Sequence, residues 1–243
     1  PLLFWESMAP CPAPHPDTRT TDPRIAQAKK TVASMYRAVP ELKGIHEFQA
    51  DGPEECLGLL MNAFLTPFFR GKLPTYRDWL DAIDDAELNA AYAEYRQQLQ
   101  LLQQHVRGSH WLLKCPSHLL GLGALLRTFP DATVIQTHRD LSKCIPSLCS
   151  LSAAADQFCY TEVDRQEIGR RVMRFTKLML DRGLKGRDAV PNARVADIAF
   201  ADLVRDPIGT VEALYARYDY PFTPVFRQKL EQFLANDTHS RKK

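Results

Sequence analysis

Residues 111–151 read WLLKCPSHLLGLGALLRTFPDATVIQTHRDLSKCIPSLCSL, and the order of patterns in this stretch decides the expected fold. A short apolar run, 111–114, ends in Lys114. A helical run follows, then a β-rich run over 132–137 that ends in His138 and Arg139, then a second helical pattern. Strand, helix, strand in this order predicts a parallel sheet with crossover helices. A third strand candidate, 193–198, stands after another long helical stretch. The expectation is an α/β fold in which a short parallel sheet is surrounded by many helices.

Outward from this stretch the chain is mostly helical. Apolar residues Leu88, Ala91, Tyr92, Tyr95, Leu99, Leu102 and Val106 recur in steps of three and four, which predicts an amphipathic helix over 87–107. Ile168, Val172, Phe175 and Met179 do the same for 164–183, and Arg165, Arg170, Arg171, Arg174 and Lys177 on the other side read as a solvated face. Helix starts are marked by a capping residue followed by proline at Asp22-Pro23, Asp206-Pro207 and Thr223-Pro224. Thr75 with Asp78, and Thr161 with Asp164, approach the capping-box pattern. Pro10, Pro12, Pro14 and Pro16 make 1–22 an extended loop. Phe64, Phe68, Phe69, Tyr76 and Trp79 read as core. No internal repeat and no convincing boundary divides residues 1–243, so one domain is expected.

Composition narrows the function classes. With 45% apolar and 25% charged residues the chain is ordinary for a globular protein, and a net charge of +2 gives no ground for a nucleic-acid partner. The longest strongly apolar run, 119–126, is too short to span a bilayer. Six cysteines form no C-x-x-C pair, which argues for free thiols in a reducing cytoplasm rather than a metal site.

Polar clusters fall where the strand candidates end: Lys114-Cys115-Pro116-Ser117-His118, then His138-Arg139-Asp140-Leu141-Ser142-Lys143, then Phe200, Asp202 and Arg205. Ligands of open parallel sheets sit at strand carboxyl ends, where helix N-termini offer free N–H groups to an anion. These clusters resemble the sulfotransferase family, which transfers a sulfuryl group from 3′-phosphoadenosine-5′-phosphosulfate (PAPS). The matching elements are a strand ending in K-x-P, then F-P-D-A, a second strand, R-D-P, and a serine eight residues after the arginine. Ile198 to Pro207 is similar to the family's Y-E-D-L-x-x-D-P element, and Trp5-Glu6 with Pro10 to its W-E-x-x-x-P element. The sequence departs at Leu141, where the family usually has proline, and at Phe200, where it has tyrosine.

The resemblance implies a sheet of the P-loop nucleotide-binding type, PAPS as co-substrate, no metal, and a small-molecule, lipid or glycan acceptor. It implies that Arg139 and Ser147 bind the donor's 3′-phosphate and that Phe200 lies by its adenine. Arg241 and Lys242 would lie near the C-terminal element that grips the same phosphate. Lys114 would meet the transferred group, and Glu6 or His118 would take the acceptor's proton. The family's glycine-rich P-R-(S/T)-G-(S/T)-T loop has no counterpart in the 243 residues, so the sequence reads as trimmed at both ends. Two rivals stand beside this reading. A P-loop phosphotransferase would need G-x-x-x-x-G-K-(S/T), which is missing. A non-catalytic nucleotide-binding or scaffold domain of the same fold would not.

Overall fold

A computed structural model describes residues 1–71, 73–106 and 108–236. It divides into two compact units, the first formed by Pro1–Pro130 and Cys144–Pro191, the second by Asp131–Lys143 and Asn192–Lys243.

The first unit is helical. It contains α1 (Phe4–Met8), α2 (Pro23–Ala38), α3 (Leu42–Ile45), α4 (Leu57–Asn62), α5 (Pro74–Ala82), α6 (Asp85–Leu102), a 3₁₀ turn (Pro116–Gly121) and α7 (Leu122–Thr128). Most of α8 (Leu141–Gln157) and all of α9 (Arg165–Asp188) also belong to it. Helix α6 forms as its periodicity predicts. Leu88, Ala91, Tyr92, Tyr95, Leu99 and Leu102 are all buried, and Asp84 with Glu87 closes a capping box at its start. It stops short of Val106 because its last turn tightens, with the Gln104 N–H bonding Leu101 O at 3.1 Å. Helix α9 is capped by Asp164, which accepts from the Gln166 and Glu167 N–H groups, rather than by Thr161. Helix α5 opens at Pro74 with no side-chain cap, so Thr75 does not serve as one. The basic face of α9 is ion-paired rather than merely solvated: Arg171 meets Asp156 at 2.7 Å with both side chains largely buried, and Arg174 meets Asp81 at 3.0 Å.

The crossing of α7 and α9 depends on two glycines. A Cβ added at Gly186 would stand 2.5 Å from the Gly123 nitrogen, closer than real Cβ atoms approach backbone.

The second unit holds the sheet. Strands β1 (Thr133–His138) and β2 (Arg194–Ala199) pair in parallel, with Thr133 opposite Arg194 and His138 opposite Ala199. Helices α10 (Phe200–Arg205), α11 (Pro207–Arg217) and α12 (Pro224–Asn236) follow. Asp206 caps α11 and Thr223 caps α12, as the sequence predicts. Among its described residues Ala196 alone is buried, and an aromatic cluster of Tyr215, Phe222 and Phe226 supplies much of the remaining packing.

The strand expected over 111–114 does not form. That segment is extended, but a strand needs a ladder partner. A single backbone bond, from the Cys56 N–H to Lys114 O at 3.1 Å, ties its end to a distant segment, and one such bond is not a ladder. The sheet of the described residues therefore has two strands. No helix among the described residues is long and apolar enough to cross a membrane.

Candidate active site

The Lys-Cys-Pro turn is clamped by the segment that leads into α4. The Lys114 carbonyl accepts the Cys56 N–H, and the exposed Lys114 ammonium pairs with the Glu55 carboxylate. Pro116 starts the 3₁₀ turn, whose first bond runs from the His118 N–H to Cys115 O.

That turn carries the His118 ring into the core of the first unit, against Tyr92 and Tyr95. Its Nε2 lies 3.1 Å from Cys56 Sγ and its Nδ1 2.8 Å from the Tyr92 hydroxyl. Burial raises the Tyr92 hydroxyl well above its ordinary pKa, so it stays protonated and donates to Nδ1. The network then assigns the proton to Nε2, which donates to the sulfur. Hydrogen bonding from Cys115, and then from His118, outweighs burial and lowers Cys56 to about 4. Both ring nitrogens of His118 are thus committed to neighbours within the fold.

Glu6 lies on α1 and is 2% exposed. Arg19 forks onto its carboxylate, Nε to Oε1 at 2.7 Å and a terminal nitrogen to Oε2 at 3.1 Å, while the Leu3 N–H donates to Oε2 at 3.0 Å. This is a bidentate charged pair with an added backbone bond. Its structural consequence is plain: it ties the proline-rich loop to α1.

Arg139 follows β1 in the second unit, where its guanidinium lies 4.6 Å from the centre of the Phe200 ring at the start of α10. Asp140 accepts the Ser142 N–H at 2.8 Å and so caps the start of α8. Leu141 takes the first helical position without breaking the helix. Beside them His138 Nε2 meets Asp197 Oδ1 at 2.6 Å. Ser147 is exposed on α8 and belongs to the first unit. Arg241 and Lys242 lie outside the described residues.

Sequence reasoning missed Glu55, Cys56, Tyr92 and Arg19 as neighbours of the predicted groups. Glu55 stands 59 residues from Lys114, and no motif or spacing links them. It also placed the aromatic residues after α4 in the core, whereas Phe64 is 64% exposed and Phe68 and Trp79 also reach solvent. The backbone explains this. Phe64 has φ 56°, and Tyr76 bonds the carbonyls of Phe64 and Thr66, which holds that turn with the Phe64 ring outward.

From residue 6 to residue 224 the chain matches the model of the sulfotransferase family. The chain belongs to the sulfotransferase family. Solved members resemble it over nearly its whole length. Sulfotransferase STF9 from Mycobacterium avium superposes with a TM-score of 0.83 and 30% identity, covering 98% of this chain and 62% of that one. Sulfotransferase STF1 from Mycobacterium tuberculosis gives 0.79 and 30%, covering 93% and 62%. Omega-hydroxy-beta-dihydromenaquinone-9 sulfotransferase Stf3, from Mycobacterium tuberculosis and Mycobacterium bovis, is 26% identical over 235 residues. That match covers 93% of this chain and 58% of Stf3, so the chain spans less than two thirds of the length of these relatives. The sulfotransferase fold is accordingly the expected α/β arrangement of P-loop nucleotide-binding type, with a short parallel sheet among many helices.

Proposed function

We propose that this protein transfers a sulfuryl group from PAPS to a hydroxyl acceptor, R–OH + PAPS giving R–OSO₃⁻, adenosine 3′,5′-bisphosphate and a proton. The observation that carries the reading is the Arg139–Phe200 pair at the end of the sheet. A guanidinium and an aromatic ring side by side offer a phosphate fork and a stacking surface, which the two ends of a 3′-phosphoadenosine require. By the family's spacing, Ser147 adds a hydroxyl donor to that phosphate, and Arg241 and Lys242 would add charge. Lys114 neutralises the oxygen charge that develops as the S–O bond to the donor breaks.

The proton acceptor is a carboxylate. Glu6 holds the family-like position but is saturated by Arg19 and Leu3. Glu55 accepts from Lys114 and stands at the turn, so its position, rather than its pairing, makes it the alternative base. His118, with both nitrogens engaged, positions the turn. The relative Stf3 acts on a hydroxylated menaquinone, which supports a lipid-like alcohol as acceptor. Six cysteines with no C-x-x-C pair support a reducing, cytoplasmic setting.

The test is calorimetric. Arg139→Ala should weaken adenosine 3′,5′-bisphosphate about 10- to 100-fold, the worth of one charged hydrogen-bonded contact. Adenosine 5′-monophosphate, which lacks the 3′-phosphate, should bind both proteins alike. Equal bisphosphate affinity in the two proteins would remove Arg139 from the donor site.

A further inference from the structure

The aromatic residues after α4 form an exposed strip on the first unit. Phe68, Phe69, Tyr76 and Trp79 touch in series, with ring centres 5.4 to 5.8 Å apart. Phe64 and Leu73 extend the strip and are 64% and 50% exposed. The local bonding builds this surface. Phe64 stands at φ 56°, a region that a bulky side chain enters only where its surroundings impose it. Here the Tyr76 hydroxyl is shared by the Phe64 and Thr66 carbonyls and accepts the Thr66 N–H at 3.3 Å. The Trp79 indole N–H is fixed on Glu87 at 2.9 Å, and Tyr160 donates to Gly71 O at 3.0 Å beside the strip. The rings therefore meet solvent with little rotamer freedom left to lose on contact. A basic surface borders them. Arg174 on α9 meets Asp81 on α5, two residues beyond Trp79. Exposed Arg170, Met173, Arg174, Lys177 and Leu184 recur at helical spacing along one side of α9, opposite the buried Ile168, Val172 and Phe175. The helix carries eight Arg and Lys against three Asp and Glu, so a two-fold contact with a second copy would set this basic side against itself. A basic amphipathic helix beside outward aromatic rings instead complements an anionic lipid surface.

We propose that this surface of the first unit docks on a bilayer that carries anionic headgroups. Phe64, Leu73 and Trp79 enter the boundary between headgroups and acyl chains, where aromatic rings are favoured. Arg170, Arg174 and Lys177 lie among the lipid phosphates, and their attraction is of the kind that salt screens. The docking needs no nucleotide and does not depend on the acceptor. Only its use, bringing the protein to a lipid-like alcohol, rests on the proposed function.

Flotation of the full chain with unilamellar vesicles, without nucleotide, is the test. Vesicles of phosphatidylcholine with about 30% phosphatidylglycerol should carry the protein up the gradient, and pure phosphatidylcholine should bind it at least about tenfold more weakly. Salt at about 0.5 M should release it. Phe64→Asn is the decisive variant. Asparagine enters the left-handed region readily, so the turn keeps its shape and the melting temperature does not fall. Vesicle affinity should nonetheless drop about tenfold, because the ring that enters the lipid is gone. Equal binding to both vesicle types, no flotation with either, or undiminished binding by Phe64→Asn overturns the proposal. So does a dimer in sedimentation equilibrium that Phe64→Asn dissolves, since a second copy would then occupy the surface.

Discussion

His46 shows how a single residue couples this fold to pH. Its Nε2 lies 3.5 Å from Glu54 Oε1, and hydrogen bonding to that carboxylate raises its pKa against the opposing effect of burial. A group whose folded pKa is raised contributes stability that is complete below its unfolded value, about 6.5, and is lost as pH rises through the folded value. The excess stability of the native protein over His46→Asn should therefore be largest below about pH 6.5 and shrink above it, measured by urea unfolding at several pH values. A constant difference across that range would assign His46 a packing role only. At this scale the sequence is legible where a side chain acts with its chain neighbours, as Asp140 does in capping α8. It is silent where partners are distant. Glu55 reaches Lys114, Cys56 reaches His118, and Arg19 reaches Glu6 only after the helices have packed.

Elements were readable where periodicity and caps agree. The starts of α2, α11 and α12 follow from Asp22, Asp206 and Thr223 beside proline, because the cap and the fixed proline φ act within one turn. The segment 111–114 was misread for the opposite reason: strand identity belongs to a pair of segments, and apolar composition does not reveal whether a partner exists. The close approach of α7 and α9 was also invisible, since glycine in a helical pattern reads only as a weak helix former. It makes a sharp expectation. Gly186→Val should cost about 1–3 kcal/mol, because the α7 backbone cannot yield as a flexible side chain would. Gly169→Ala, on the same helix with nothing within 4 Å of the added carbon, should be neutral or stabilise by up to about 1 kcal/mol. Thermal unfolding of both variants checks the pair, and similar melting temperatures would show that the crossing can relax.

For the whole molecule, the 243 residues contain the elements proposed for the 3′-phosphoadenosine and no glycine-rich P-R-(S/T)-G-(S/T)-T run. The 243 residues should bind adenosine 3′,5′-bisphosphate through the proposed Arg139–Phe200 pair. Titration calorimetry tests this, and no measurable binding would remove the pair from the donor site. Where that binding falls matters. The first unit carries nearly all of the buried residues, while the described part of the second unit buries Ala196 and leaves Val204, Val225 and Phe233 more than 60% exposed. Local opening free energy follows buried contact, so within these 243 residues β1, β2 and the helices after them should exchange amide hydrogens fastest. Arg139 and Phe200 both lie there. If the proposed pair holds a nucleotide, part of its affinity would go into ordering that exposed segment, so amide exchange over β1, β2 and α10 should slow on nucleotide binding.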